Sequence, residues 1–495
     1  MTLATRTVTL PGGLQATLVH QPQTDRAAAL ARVAAGSHHE PSRFPGLAHL
    51  LEHLLFYGGE RYQDDDRLMG WVQRQGGSVN ATTLARHSAF FFEVAADALA
   101  DGVARLEEML QAPLLLREDI QREVAVIDAE YRLIQQHEPS RREAAVRHAA
   151  SAPAAFRRFQ VGSADALAGD LAALQAALGD FHRTHYVARR MQLWLQGPQS
   201  LEALGELAAR FAAGLAAGEA PPPAPPLRLG EFTALQLAVS SQPALWRCPL
   251  IALSDNVTLL REFLLDEAPG SLMAGLRQRR LAGDVALNWL YQDRHLGWLA
   301  LVFASDRPEE VDRQITHWLQ ALQQTTPEQQ QHYYQLSRRR FQALSPLDQL
   351  RQRALGFAPA RRPPGSPIFA PPCRSPRRSA WPVKPFPQGS LLPPRALACR
   401  LAAGAAALSL TRRWRSLSIR RPLAISLPNA RRKPRRCSIS CHREIRRGSC
   451  CDRPSTARPI RPRGWRVGNS CAHCLPPCAM PGDTASGICS TAAGS

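Results

Sequence analysis

Two spacings of apolar residues alternate along the first 220 residues, one typical of β-strands and one typical of helices. Apolar and polar residues alternate on both sides of Pro11-Gly12-Gly13, within 6–20, which predicts a β-hairpin. The same reasoning predicts strands at 88–95, at 191–197 and after the Gly76-Gly77 turn. It predicts helices at 46–57, 67–75, about 96–112, 117–137, 170–189 and about 200–217. Strand pairs that alternate with long helices indicate the fold class α+β, with a mixed sheet covered by helices.

A proline-rich segment, 220–226 (APPPAPP), follows this first unit. Successive prolines stiffen a chain into an extended spacer, which is typical of a domain boundary. Residues 227–360 repeat the pattern of strands and helices, but they contain no cluster of histidine and glutamate. We therefore predict a first α+β domain at 1–219, which carries the chemistry, and a second, truncated α+β domain at 227–360. The elements expected in the second domain are strands at 232–241 and 297–305 and helices at about 256–266, 271–280 and 307–324.

The composition changes sharply after about residue 360. Residues 361–495 contain 26 Lys and Arg against 3 Asp and Glu, whereas residues 1–360 have a net charge of only −3. The net charge of +20 for the whole chain therefore comes from the tail. A nucleic-acid binder needs its basic residues on a folded face together with a groove-reading or aromatic motif. Neither accompanies the charge here, so we expect no nucleic-acid partner.

The tail at 361–495 has three interpretations. It contains 20 prolines and ten cysteines without a helical or strand period, a mixture that GC-rich DNA gives when it is read out of frame. We favour this frameshift interpretation, in which the tail has no packed core. The alternatives are an ordinary disordered basic arm and a basic zinc module built on Cys437, Cys441, His442, Cys471 and Cys474.

Cysteine content and apolar runs bear on the expected compartment. Cys248 is the only cysteine in the first 360 residues, so this part forms no internal disulfide. The start of the sequence lacks an apolar core of signal-peptide length. No apolar run reaches the roughly 18–20 residues of a membrane helix. We expect a cytoplasmic protein without a membrane partner.

The segment GLAHLLEHLLFYGG, at 46–59, contains three titratable residues among leucines. On a helix, His49 and His53 lie one turn apart, about 6 Å from each other, and Glu52 lies beside them. Two such imidazoles can share a zinc ion, which then needs a third protein ligand and an open position. Glu123 and Glu130 are seven residues apart on the next long helix, so they share one face and are candidates. A surface position for the histidines and a solvated face for the glutamates remain alternatives at this point.

This ordered set resembles the insulinase/pitrilysin family of zinc peptidases, which carry the inverted motif His-x-x-Glu-His. The segments that carry the resemblance are the motif itself, GGSVNATT, and REVAVIDAE, whose last glutamate follows His53 by 77 residues. The resemblance implies one zinc ion per chain with His49, His53 and Glu130 as ligands. It further implies that Glu52 is the catalytic general base, that Glu123 supports the site and that Asn80 lies on an edge strand that aligns a peptide substrate.

The resemblance also implies a function and its limits. It implies a zinc-dependent endopeptidase. The segment FPGLAHLLEHLLFYGGERY resembles a bacterial branch of this family that processes the small precursor peptide of a cofactor. The alternative is a non-catalytic subunit of the same family that binds a peptide or assists assembly. Full-length members have four related units in two halves, so a partner subunit would have to supply the missing second half.

Overall fold

The structure is a computed structural model, which describes residues 3–149, 154–157, 160–220, 222, 235–237, 244–248, 250–252, 256–292, 296–358 and 397–399. The frameshift, disordered-arm and zinc-module interpretations of the tail therefore fall almost entirely outside the described residues. Within the tail only Leu397–Cys399 is described, as a short strand that pairs antiparallel with Leu235–Leu237.

A six-stranded mixed sheet lies at the centre of the first unit. Its strands are β1 (Ala4–Thr9), β2 (Gln15–His20), β3 (Arg26–Val33), β4 (Ser78–Thr83), β5 (Ser88–Ala95) and β6 (Met191–Gly197). Their order is β1-β2-β6-β3-β5-β4. The β2–β6 pair is parallel and the other four pairs are antiparallel. The predicted hairpin is confirmed as β1 and β2, with Ala4 opposite His20. The predicted α+β class with a mixed sheet is also confirmed.

Nine helices accompany the sheet in the described part of 47–213. They are α1 (Leu47–Leu55), α2 (Leu68–Arg74), α3 (Leu99–Gln111), α4 (Arg117–Gln136), α5 (Glu138–Ala149), α6 (Ala154–Arg157), α7 (Ala164–Leu167), α8 (Leu171–His185) and α9 (Leu201–Ala213). The predicted helices correspond to α1, α2, α3, α4, α8 and α9, although α8 and α9 end four residues before the predicted bounds. The chain leaves α8 early because it must turn at 188–190 to enter β6.

Alternate residues of the central strands face opposite sides of the sheet. Phe90 and Phe92 of β5 are fully buried among the helices of the first unit. Phe91, between them, faces the other side and packs with Leu30 and Trp194. Both faces of this sheet are therefore apolar, and each must pack against another layer to be shielded from water.

The second segment contains a four-stranded sheet, several helices and one strand, Leu235–Leu237, that lies outside this sheet and pairs with Leu397–Cys399. Its elements are β7 (Leu235–Leu237), β8 (Ala244–Arg247), β9 (Leu250–Ala252), β10 (Ala286–Gln292), β11 (Leu296–Ala304), α10 (Asn256–Leu264), α11 (Leu272–Gln278), α12 (Pro308–Leu322), α13 (Pro327–Gln342) and α14 (Pro346–Leu355). Strand β11 pairs antiparallel with β8, β9 and β10. The strand predicted at 232–241 is described only over β7. Helices α13 and α14 and strands β8–β10 were not predicted.

Helix α14 covers the second face of the first sheet. Leu347, Leu350 and Leu355 pack in one buried cluster with the outward-facing side chains of β3, β5 and β6. The Glu93 carboxylate of β5 accepts a hydrogen bond from the backbone N–H of Leu347 at 3.0 Å. The Arg32 guanidinium of β3 donates to the carbonyl of Ala354 at the other end of the helix. The predicted domain limits, 1–219 and 227–360, stay a prediction, but α14 packs with the first sheet.

In the part of the chain that the structure describes, no helix combines the length and the apolar character needed to cross a bilayer.

Candidate metal centre

The N-terminus of helix α1 is fixed by a glycine in the left-handed conformation and by the carboxylate of Glu40. Gly46, the residue before its first turn, has a φ of +94°, in the left-handed region that favours glycine. The Glu40 carboxylate accepts hydrogen bonds from the backbone N–H groups of Gly46 (2.9 Å) and Ala48 (3.0 Å). These bonds satisfy donors that a helix otherwise leaves unpaired at its N-terminus. They fix the start of the helix that carries His49 and His53.

Helix α4 lies against α1 and brings the two glutamates to the histidines. The Oε2 atom of Glu130 lies 3.7 Å from Nε2 of His49 and 3.8 Å from Nε2 of His53. The two imidazole rings are 4.7 Å apart and nearly perpendicular. Within the described residues, these three form the one group of His, Cys, Asp or Glu close enough to hold a metal ion. The structure therefore brings together the three residues expected as ligands.

In both histidines the ring nitrogen Nδ1, which faces away from Glu130, already makes a hydrogen bond. His49 donates from Nδ1 to the Val161 carbonyl at 2.9 Å, and His53 donates from Nδ1 to Glu123 Oε2 at 2.9 Å. With Nδ1 as the donor, each neutral imidazole presents the lone pair of Nε2 towards Glu130. A hydrogen bond to the other ring nitrogen is the usual arrangement of a metal-binding histidine.

Two buried polar atoms at this site lack hydrogen-bond partners among the described residues. They are Nε2 of His53 and Oε2 of Glu52. A buried polar atom without a partner costs free energy, so such atoms are rare unless something binds to them. Two imidazole nitrogens and one carboxylate oxygen form the donor set of a catalytic zinc site. The residues present therefore fit zinc.

Burial and neighbouring charges shift the pKa values in this site. Burial raises the pKa of Glu52 to about 7, although a hydrogen bond from Thr83 and the charge of His53 oppose the shift. Burial, and next the neighbouring His53, lowers the pKa of His49 to about 3. Burial also lowers the pKa of His53, but its hydrogen bond to Glu123 and the nearby carboxylates outweigh this and raise the pKa overall. His49 is therefore neutral near pH 7 and can use its lone pair.

Asn80 lies apart from this cluster, on strand β4 at the edge of the six-stranded sheet. It is exposed, it is paired with Phe91 of β5, and its side-chain oxygen accepts the N–H of Ala81 at 2.8 Å. Helix α1 packs next to β4, so this edge is a neighbour of the site. The edge position matches the expectation from the sequence, and the substrate-binding role of Asn80 stays a prediction.

Four residues around the centre were not predicted from the sequence. Tyr57 donates its hydroxyl to Glu123 Oε1 at 2.7 Å, Glu40 binds the start of α1, Val161 accepts from His49, and Thr83 lies beside Glu52. Only Tyr57 carries a signal in the sequence, because it follows His53 by four residues. The other three are distant in sequence or act through backbone atoms, so no spacing rule indicates them.

Comparison with known proteins finds a matching family model for each of the two folded segments. Residues 15–163 match the family model described as insulinase (peptidase family M16). Residues 249–366 match the model described as PQQ synthase PqqF, N-terminal lobe domain 2. Residues 367–495 lie outside both matches.

The chain is similar to several curated proteins. It is 98% identical over 365 residues to coenzyme PQQ synthesis protein F of Klebsiella pneumoniae, a match that covers 74% of this chain and 48% of that protein. It is 42% identical over 367 residues to the protein of the same name from Pseudomonas aeruginosa, covering 72% and 47%. The chain thus spans about half the length of these curated relatives.

Solved structures share the fold. The crystal structure of pitrilysin matches with a TM-score of 0.55 and 24% identity, covering 68% of this chain and 38% of that one. The crystal structure of a peptidase M16 inactive domain from Pseudomonas fluorescens matches with a TM-score of 0.57 and 16% identity, covering 72% and 88%. Given the family model over 15–163 and this fold, the chain carries a domain that belongs to the insulinase family of peptidases, peptidase family M16.

Proposed function

We propose that this chain is the zinc-binding part of a peptidase, in which His49, His53 and Glu130 hold one zinc ion. The observation that carries the proposal is the convergence of two Nε2 atoms on one carboxylate oxygen, at 3.7 and 3.8 Å, in a buried site. The donor set, the hydrogen bonds behind both histidines and the membership of a peptidase family support it. When bound, zinc supplies Lewis-acid chemistry that acidifies water and polarises a peptide carbonyl.

Glu52 acts as the general base and then as the general acid in this proposal. Its Oε2 atom is buried and free of hydrogen bonds among the described residues, so it can take a proton from an attacking water. It returns that proton to the amine that leaves when the peptide bond breaks. A carboxyl group that exchanges a proton in both directions works best with a pKa near the working pH. Burial, which raises the pKa of Glu52 in the metal-free site, acts in this direction.

The other groups position the reaction. Glu123 holds the ring of His53 through Nδ1, and the Val161 carbonyl holds the ring of His49. The open edge of β4 lies beside α1, so an extended peptide can add to the sheet there by backbone hydrogen bonds. We assign Asn80 to this strand-addition surface.

The substrate that we propose is the small precursor peptide of pyrroloquinoline quinone (PQQ). This assignment depends on the relatives of 98% and 42% identity, both of which are called coenzyme PQQ synthesis protein F. Because the chain spans about half of their length, we propose that a partner subunit supplies the second half for efficient turnover. The partners in this proposal are therefore a peptide and a second protein chain.

The experiment compares the full chain with its Glu52→Gln variant. Zinc content is measured by elemental analysis, and hydrolysis of the PQQ precursor peptide is followed by mass spectrometry, with the second half of a full-length relative added in trans. Glu52→Gln should keep one zinc per chain and lose activity by about 10²–10⁴-fold, since an amide cannot accept the proton. Glu60→Gln, an exposed change of the same chemistry, is the matched control. Equal activity of Glu52→Gln and the parent would exclude this mechanism, and a non-catalytic subunit predicts no hydrolysis by either.

A further inference from the structure

Tyr57 lies in the turn that follows α1, close to the proposed zinc ligands. Its hydroxyl donates a hydrogen bond to Oε1 of Glu123 at 2.7 Å. The other oxygen of the same carboxylate, Oε2, accepts the Nδ1 proton of His53 at 2.9 Å. One short segment of the chain thus contacts both oxygens of Glu123.

Two contacts constrain a carboxylate far more than one. With a single hydrogen bond, the Glu123 carboxylate can rotate about its last bond and can leave its partner. The second bond, from Tyr57, fixes the carboxylate plane and keeps Oε2 directed at His53. Charge-assisted hydrogen bonds of this kind are short and strong, and the side chain of Glu123 is only 7% exposed, so water competes little.

The Tyr57 ring is itself held in place. The guanidinium groups of Arg67 and Arg122 lie over it, at 5.6 and 5.9 Å from its centre. Cation–π contacts of this length stabilise one ring orientation. The hydroxyl therefore approaches Glu123 from a fixed direction.

We propose that Tyr57 is a positioning residue: its hydroxyl orders Glu123, and Glu123 in turn fixes the ring of His53 with Nε2 facing Glu130. The inference deepens the proposed function and rests on it for the identity of the metal. Residues behind a metal ligand typically change metal affinity by 10–100-fold when they are replaced. Tyr57 acts through one further residue, so we expect the lower end of this range.

The first measurement uses the metal-free chain, residues 1–495, labelled with ¹⁵N-histidine. The Nδ1 proton of His53, assigned by its loss in His53→Gln, should exchange slowly with water in the parent because it is hydrogen-bonded and buried. In Tyr57→Phe, which removes only the hydroxyl, that exchange should be faster. In Tyr62→Phe, the matched control five residues away, exchange should match the parent. The thermal midpoint of the metal-free chain separates this effect from general destabilisation.

The second measurement is zinc affinity by competition with a chelator. Tyr57→Phe should bind zinc about 10-fold more weakly than the parent, and Tyr62→Phe equally tightly. In a Glu123→Gln background, adding Tyr57→Phe should cause little further loss, because the two residues act in series.

The proposal requires both changes. Unchanged proton exchange in Tyr57→Phe would overturn it even if zinc affinity fell, and so would unchanged zinc affinity with altered exchange. If the parent bound no zinc, the proposed function would fail. The proton exchange alone would then decide whether Tyr57 orders His53.

Discussion

The two histidines of the centre donate their Nδ1 protons to acceptors of different kinds. A neutral backbone carbonyl, that of Val161, accepts from His49, whereas an ionised carboxylate, that of Glu123, accepts from His53. A carboxylate behind an imidazole raises its basicity and its strength as a ligand. We therefore expect His53 to contribute more than His49 to metal affinity.

Single replacements of the three proposed ligands test the assignment of the metal site itself. His49→Ala, His53→Ala and Glu130→Gln should each reduce the zinc content of the full chain well below one per chain, because three protein ligands are the minimum of a catalytic site. His317→Ala and Glu118→Gln change exposed residues of the same types and should keep zinc. Elemental analysis after dialysis measures the outcome. Unchanged zinc in all three ligand variants would refute the assignment.

His87, a half-buried histidine outside the centre, gives a prediction on pH dependence. Burial and then the charges of Arg32, Arg86 and His39 lower the pKa of His87 to about 3. The unfolded chain binds a proton there near pH 6.5 and the folded chain does not, so stability is lost as the pH falls from 6.5 towards 3. Between pH 7.5 and 5.5 this group should cost about 1 kcal/mol of the free energy of unfolding.

Urea denaturation at the two pH values tests this contribution. His87→Gln should lose less stability than the parent on acidification, whatever its stability at pH 7.5. His317→Gln, an exposed change, should lose as much as the parent. An identical loss in His87→Gln and the parent would show that His87 does not titrate in this way.

At the residue scale, spacing gave candidates for the site, and the family resemblance then assigned them as ligands. Four-residue spacing identified His49 and His53, and seven-residue spacing placed Glu123 and Glu130 on one helix face. Val161 could not be found, because it contributes a carbonyl from a turn whose position depends on the tertiary fold. No spacing rule applies to such a contact.

The start of α1 is the element on which the site geometry depends. A Cβ added at Gly46 would lie 2.3 Å from the Cα of Gly162, and Gly162 also has a positive φ, +85°. The two glycines therefore let the backbone of the 161–162 turn lie directly against the helix start. This approach brings the Val161 carbonyl to His49. The carboxylate of Glu40 fixes the same end of α1 from within.

Replacing Glu40 should destabilise the start of α1, and two substitutions should do so to different degrees. Glu40→Gln keeps one oxygen acceptor and can satisfy one of the two backbone N–H groups, so the free energy of unfolding should fall by about 1–3 kcal/mol. Glu40→Ala leaves both donors unsatisfied and should cost more. Urea denaturation measures both, with the exposed Glu206→Gln on α9 as the control. Equal stability of Glu40→Gln and the parent would mean that the second hydrogen bond contributes nothing.

Strong amphipathic periodicity decided which elements the sequence could predict. Helices α3 and α4 have a regular apolar stripe and were found within a few residues. Helix α13 escaped because most of its residues are Gln, Arg and other polar types. It is instead supported by the reciprocal hydrogen bonds of Thr326 and Gln329 at its start. Local hydrogen bonding of this kind gives no apolar period to detect.

At the scale of the whole molecule, α14 joins the second segment to the first sheet. Leu350 is fully buried between them. Leu350→Ala should lower the free energy of unfolding by about 2–5 kcal/mol, because it leaves a cavity under the helix. Leu133→Ala, at a leucine that is 55% exposed, should change it by no more than about 0.5 kcal/mol. Urea denaturation of the full chain measures both. A small effect at Leu350 would indicate that α14 contributes little to the stability of the sheet.

The organisation of the whole chain was predictable in part. Alternating strands and helices gave the α+β class, and the change in composition near residue 360 falls close to residue 366, where the second family match ends. The return of α14 to the first sheet was not predictable, because the contact joins residues about 250 positions apart, such as Glu93 and Leu347. The out-of-frame origin of 361–495 stays a prediction, which the gene read in its other frames would test.

The contact between α14 and the first sheet also has a consequence for synthesis on the ribosome. The last strand of that sheet, β6, ends at Gly197, but the helix that covers its second face ends at Leu355. At typical rates of 5–20 residues per second, about 8–30 s separate the two events. During that time the nascent chain presents Leu30, Phe91 and Trp194 uncovered. We therefore expect trigger-factor-type chaperones to bind this face during translation and to leave once residue 355 has emerged.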